Sequence, residues 1–210
     1  MQLSFLNENK EADSGSVAIA SHLTPWLVLD NSFLTQPDAH SLMERLIDEL
    51  PWQQPEVIVF GQSHKIPRLQ AWQSDPGVVY QYSGKVLEPE PWHPDVLKIK
   101  QRVEQASGKR FNSVLINYYR CGGDKMGWHA DNEPELGANP TVAAVSLGGR
   151  RDIQFKSKQY PKAVNVALGS GSLLIMKAGM QRHFQHQIPA RLREAQARIS
   201  LTFRHVLPTC

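Results

Sequence analysis

The chain has 210 residues, a formal net charge of +3 and two cysteines, Cys121 and Cys210. That length allows one domain with a substantial core, and two cysteines make no disulfide framework, which points to a reducing compartment. No run approaches the roughly 18 apolar residues of a membrane span, and the mild positive charge permits nucleic-acid binding without demanding it.

Residues Met1 to His22, rich in Asn, Glu, Lys, Ser and Gly, carry too little apolar content to pack and are expected to form a flexible N-terminal tail. One domain follows over 23–210, with helices and a recognition lid in 23–110 and a core in 111–207. Trp26 to Leu34 reads as a short strand and its exit. Pro37 and Asp38 then open a helix in which Leu42, Met43, Leu46, Ile47 and Leu50 recur at helical spacing until Pro51 ends it. VIVFGQSHKIPR, from Val57, reads as a strand, a glycine turn and a proline-checked loop, and VVYQYSG puts Tyr80 and Tyr82 on one strand face. A second scaffold helix is expected from Pro94 to Ala106, stopped by Gly108.

Beyond it come only strands and turns: FNSVLINYY, the HAD segment, TVAAVSLGG, RDIQFKS, AVNVALG, GSLLIMK, FQHQIP and ARISLTFRHV. Short strands with Gly and Pro between them suggest a double-stranded β-helix, or jelly roll. The expected class is therefore α+β, mainly β, with supporting N-terminal helices.

His129 and Asp131 stand two apart, so on an extended strand both would leave the same face. A further histidine in HFQHQIP, His183 or His186, would complete two histidines and one carboxylate, the set that holds non-haem Fe(II) with open positions. In ARISLTFR, Ile199, Leu201 and Phe203 alternate with Arg198, Ser200, Thr202 and Arg204. An inward polar face with two arginines needs an anion, and a dicarboxylate suits guanidinium forks.

N-Y-Y at Asn117 to Tyr119, the H-x-D, the distal histidine and R-x-x-x-T-F-R from Arg198 to Arg204 resemble the AlkB family of Fe(II)- and 2-oxoglutarate-dependent nucleic-acid dealkylases, most of all those acting on double-stranded DNA. The likeness runs from about Val57 to Leu207. It implies iron on His129, Asp131 and His186, the histidine followed by x-I-P, and 2-oxoglutarate on Asn117, Tyr119, Arg198, Ser200, Thr202 and Arg204, with O2 as cosubstrate. It also implies that Phe60, with Gly61 and Gln62, forms an apolar wedge entering the base stack, where the bland reading of Phe60 is core. Arg68 would meet the DNA backbone, or else be a solvated surface arginine. Tyr82 would stack the extruded base and Tyr80, beside Gln81, would reach the nucleotide, where the bland reading is two half-buried sheet tyrosines. Two departures stand out: Ser200 replaces the usual asparagine, and Asn132 replaces an acid that contacts the lesion.

Arg150, Arg151, Lys156, Lys158 and Lys162, with Arg182, Arg191 and Arg193, form two basic clusters that could contact phosphates. Leu192 interrupts the unbroken basic triplet of the duplex-acting relatives. The expected function is oxidative demethylation of 1-methyladenine- or 3-methylcytosine-type lesions in DNA, releasing formaldehyde, succinate and CO2. Alternatives are the same chemistry on RNA or a protein, or a non-catalytic metal-binding jelly roll. The expected protein is a monomer free of membranes, cytoplasmic or, in a eukaryote, nuclear.

Overall fold

The computed structural model describes residues 19–59, 61–78, 80–82, 85–87 and 89–207, with the backbone alone for 59, 80–82 and 85–87. In chain order the elements are β1 (Leu27–Asp30), α1 (Gln36–Glu49), β2 (Glu56–Val59), β3 (Gln62–Lys65), β4 (Leu69–Ser74), β5 (Tyr80–Tyr82), β6 (Lys85–Leu87) and α2 (Pro94–Ser107). The strands β7 (Ser113–Tyr119), β8 (Met126–His129), β9 (Val142–Gly148), β10 (Arg151–Lys156), β11 (Val164–Leu168) and β12 (Leu173–Met176) follow. A short helix α3 (Met180–His183), β13 (Gln185–Ile188) and β14 (Arg198–Arg204) complete the set.

The eight strands expected beyond α2 are present as β7 to β14, and they form the jelly roll. A six-stranded sheet has the order β1, β12, β9, β14, β7, β4; a four-stranded sheet facing it has the order β11, β10, β13, β8. Every pairing in both sheets is antiparallel. One strand the sequence reading did not anticipate is β4. It pairs with β7 along its whole length, and residues 70–74 are buried although three of them are polar.

The two faces of the larger sheet explain the composition of its strands. Its outer face packs on α1 and α2 through Leu42, Leu46, Val96, Ile99 and Val103, and β14 contributes Ile199, Leu201 and Phe203 to that layer. Strand alternation then sends Arg198, Ser200, Thr202 and Arg204 to the space between the sheets. That space has a separate apolar lining, which includes Tyr119, Met126, Ile153, Phe155, Val166, Leu168 and Ile188. The chain thus has a dry layer under the helices and a polar seam inside the roll.

Both helices begin and end as their sequences dictate. Thr35 caps α1 by accepting from the Asp38 amide at 3.2 Å, and α2 ends at Gly108 in the left-handed region at φ 64°. At the other end of the chain, the expected tail overlaps packed structure. Ile19 lies against the inner apolar cluster and the His22 ring stacks on Tyr160 at 4.1 Å, whereas 1–18 lie outside the described residues.

Candidate functional site

Two neighbouring strands of the smaller sheet bring the histidines together. β13 runs antiparallel to β8 with His186 directly opposite His129, and their ring centroids are 4.2 Å apart. Asp131 is fully buried beside them, with Oδ2 3.6 Å from His186 Nε2. One ligand atom from each of the three residues lies within 4.8 Å of the others.

Asp131 reaches the site differently from the sequence expectation. β8 ends at His129, and Asp131 sits at a bend beyond it, so a shared strand face does not place the carboxylate. Two buried partners do. Its amide donates to Gln181 Oε1 at 3.0 Å, and its Oδ1 accepts from Arg204 Nε at 3.1 Å and Nη2 at 2.6 Å. Burial opposes the charge on Asp131, but Arg204, aided by His186 and His129, holds the carboxyl well below its usual range. His186 is pushed down to about 3 by burial and by His129, with Asp131 opposing, and so is neutral, as a metal-ligating imidazole must be. His129 Nδ1 lies 2.9 Å from the Gly127 carbonyl. A carbonyl only accepts, so the proton sits on Nδ1 and Nε2 keeps its lone pair.

His183 is separated from this centre by secondary structure. It ends the short helix α3, is exposed, and its ring lies 5.1 Å from Trp26. The helix, not the alternation of an extended HFQH, turns it away.

The polar seam holds the residues expected to take 2-oxoglutarate. β14 runs between β7 and β9, with Arg198 opposite Tyr119 and Ser200 opposite both Asn117 and Ser146. Arg198 is 1% exposed; its Nη2 donates to Ser146 Oγ at 2.8 Å and Ser200 Oγ at 3.4 Å. Its Nε and Nη1 are buried without a hydrogen-bond partner, and burial pushes the guanidinium down to about 10. Thr202 is half-buried in the same row. Ser146 was missed by sequence reasoning, although a lone serine in the apolar run TVAAVSL was a usable signal. Gln181, which orients Asp131, had no such signal.

Two arginines lie elsewhere than expected. Arg68, anticipated at the nucleic-acid surface, is 5% exposed and donates from Nε to Asn117 Oδ1 at 2.7 Å. It follows the buried Ile66 and the half-buried Pro67 into β4, and its side chain enters the roll. Arg151, anticipated among solvated phosphate contacts, is 2% exposed, because β10 alternates Arg151, Ile153 and Phe155 inward. The other members of the two basic clusters are exposed or half-buried. Lys156 lies 4.3 Å from the Trp128 ring, and Arg191 pairs with Asp152 at 3.1 Å.

Asn132 is exposed at the edge of an open groove of about 930 Å³, whose walls include Trp26, Lys156, Tyr160 and Arg182. Gly61 turns the β2–β3 hairpin at φ 78°, and Gln62 is exposed beside it. Phe60 lies outside the described residues, as do the side chains of Tyr80, Gln81 and Tyr82; the backbone of the last three forms β5, paired with β6. Glu133 is half-buried with Oε2 unpartnered, and burial together with Asp131 raises its carboxyl.

Comparison with known proteins accords with this geometry. The sequence family described as the 2OG-Fe(II) oxygenase superfamily matches residues 27–204. Alpha-ketoglutarate-dependent dioxygenase alkB homolog 3 of Bos taurus is 37% identical over 186 residues, covering 84% of this chain and 64% of the relative. DNA oxidative demethylase ALKBH2 of Mus musculus is 40% identical over 162 residues, covering 73% and 68%. The solved structure of OsALKBH1 superposes with a TM-score of 0.59 at 24% identity, over 85% of this chain and 97% of that one, a likeness of fold. The chain spans somewhat less than two thirds of the length of the alkB homolog 3 relatives it matches.

Proposed function

Because the chain belongs to the AlkB family of the 2OG-Fe(II) oxygenase superfamily, we propose that it is an Fe(II)- and 2-oxoglutarate-dependent dioxygenase that demethylates alkylated bases in DNA. The observation that carries the reading is the bare Oδ2 of Asp131: a fully buried carboxylate oxygen with no hydrogen-bond partner, 3.6 Å from His186 Nε2. An unsatisfied buried charge is costly unless something cationic occupies the space before it. His129 Nε2, His186 Nε2 and Asp131 Oδ2 form a two-histidine, one-carboxylate donor set that fits Fe(II) and leaves positions open.

The residues around the centre have separate tasks. Arg204 keeps Asp131 ionised and fixes Oδ1, so that Oδ2 is the oxygen left for the metal. Arg198, positioned by Ser146 and Ser200, takes the distal carboxylate of 2-oxoglutarate with its unpartnered Nε and Nη1. Arg68 occupies Asn117 Oδ1, so the amide group of Asn117 is the end left to donate. Tyr119 places its hydroxyl in the same seam, beside the Arg198 guanidinium and 4.0 Å from the weak acceptor Met126 Sδ. When bound, iron and 2-oxoglutarate supply the oxidation: O2 and the keto acid are consumed, succinate and CO2 leave, and a hydroxylated N-methyl group departs as formaldehyde. Asp131 and His186 are buried, whereas His129 is half-buried and forms the side of the set that a substrate can approach.

Asn132 faces the open groove and both donates and accepts, which suits the edge of a base. Lys156, Lys158 and Arg182 line the same groove and supply phosphate contacts. Among the described residues no helix is long and apolar enough to cross a membrane.

The test is succinate and formaldehyde release from methylated single- and double-stranded DNA and RNA, side by side. Release from DNA, abolished in His129→Ala, is expected. Release from RNA alone would redirect the substrate, and release from none, with His129→Ala equal to wild type, would remove the dioxygenase reading.

A further inference from the structure

Arg151 is a buried cation that the reaction as described does not use. It occupies the first inward slot of β10, and all its hydrogen bonds go to main-chain carbonyls: Nη1 to Cys121 at 3.3 Å, Nη2 to Asp124 at 3.0 Å and Nη2 to Pro189 at 2.6 Å. Its Nε is buried and has no partner. The two acids nearest in sequence or in contact are already taken. Arg120 holds the Asp124 carboxylate through Nε at 2.8 Å and Nη2 at 2.9 Å, and Arg191 holds Asp152 at 3.1 Å. Among the described residues, Arg151 therefore bonds to no carboxylate.

Arg198 shares this condition, since its bonds go to two hydroxyls. Both guanidiniums lie against one ring: Arg198 Cζ is 5.3 Å and Arg151 Cζ 5.8 Å from the Tyr119 centroid. Tyr119 is 1% exposed, so neither contact is diluted by solvent. Guanidinium stays charged when desolvated. Asp124 and Glu194 act on Arg151 only through space, and neither guanidinium is hydrogen-bonded to a carboxylate, so an anion entering the seam would meet two buried cations. A cation on a phenol also draws electron density from its O–H and makes it a stronger donor.

We propose that Arg151 is a positioning and specificity residue for the cosubstrate: from behind Tyr119 it strengthens that phenol's hydrogen bond to the distal carboxylate, and so selects dicarboxylic over monocarboxylic keto acids. This rests on the 2-oxoglutarate reading given above. A purely structural role, in which Arg151 merely ties the turn at 121–124 to Pro189, predicts no such selectivity.

Calorimetry separates the two, with Mn(II)-loaded protein titrated under argon with 2-oxoglutarate or with 2-oxobutyrate, which lacks the distal carboxylate. Arg151→Gln should weaken 2-oxoglutarate about tenfold, the scale of one charge-assisted hydrogen bond, and leave 2-oxobutyrate unchanged. In a Tyr119→Phe background the same change should cost nothing further. Arg151→Lys, which keeps charge but not the fork, should restore part of the selectivity. Equal losses for both acids, or an undiminished loss in the Tyr119→Phe background, would overturn the proposal. If Arg151→Gln fails to melt cooperatively, Arg151→Lys alone decides: preference for the dicarboxylate must survive, and its disappearance counts against the role. Failure of wild type to bind either acid would instead strike the 2-oxoglutarate reading itself.

Discussion

Arg204 grips a single oxygen of Asp131 from two nitrogens, Nε at 3.1 Å and Nη2 at 2.6 Å, and leaves the other oxygen bare. The arginine six residues away on the same strand, Arg198, bonds only to hydroxyls. At about 3.3 Å per residue the two Cα atoms are roughly 20 Å apart, so the arginines mark opposite ends of the seam. One serves the metal end and the other an incoming anion.

Replacing Arg204 by Gln should therefore act first on the metal. The outer partner of a ligand contributes roughly 10- to 100-fold in metal affinity, and Fe(II) or Mn(II) titration of Arg204→Gln should reveal a loss of that size. Breaking the buried pair should also destabilise the metal-free fold by about 3 kcal/mol in urea unfolding.

Acidification should destabilise the metal-free protein in a defined window. His186 is neutral in the fold, pushed down to about 3, whereas the unfolded chain takes up the proton near pH 6.5. Below pH 6.5 the unfolded state is favoured, so stability should fall as pH drops from 6.5 toward 3, at roughly 1 kcal/mol per unit. Asp131, depressed, contributes stability that is present above about pH 4 and lost only at lower pH. Between pH 6.5 and 5 the loss of stability on acidification should be smaller in His186→Gln than in wild type, as read from urea midpoints, with Glu133, whose carboxyl is raised, acting in the opposite direction in both.

Arg68→Ala separates a nucleic-acid contact from a buried support. Loss of its 2.7 Å bond to Asn117 should cost about 2 kcal/mol of stability and weaken 2-oxoglutarate binding. The dependence of oligonucleotide affinity on salt should not change, whereas loss of a phosphate contact would lower that slope by about one.

Gly148, directly opposite Arg198, has φ 83°, and a Cβ there would meet the Met43 sulfur and the Ala197 carbonyl. Gly148→Ala should destabilise the fold by about 2 to 3 kcal/mol, through backbone strain and overpacking together, as measured by thermal and urea unfolding.

Much of this was legible in the chain itself. The alternation of Arg198, Ser200, Thr202 and Arg204 with Ile199, Leu201 and Phe203 identified a strand with one wet and one dry side, and β14 is that strand. Helix signals at Pro37–Asp38 and Gly108 and the eight strands of the roll were equally readable, because helix starts, glycine stops and period-two patterns are local. What escaped were features fixed by distant partners. Nothing near Arg68 or Arg151 says that Asn117, Cys121, Asp124 and Pro189 would satisfy a buried guanidinium, and a surface arginine reads the same. The polar strand β4 is buried because β7 pairs with it and the bridges from Gln53 to Gln70 and from Glu90 to Gln73 cover it, all of them distant in sequence. His129 and Asp131 do meet, but through Gln181 and Arg204, 50 and 73 residues beyond Asp131, and not through a common strand.

The most direct measurement of the central claim is the visible absorption of the protein mixed anaerobically with Fe(II) and 2-oxoglutarate. The weak charge-transfer band of a keto acid chelated to ferrous iron should appear in wild type and disappear in His186→Ala. No band in wild type, or an undiminished band in His186→Ala, would contradict a ferrous centre held by His129, Asp131 and His186.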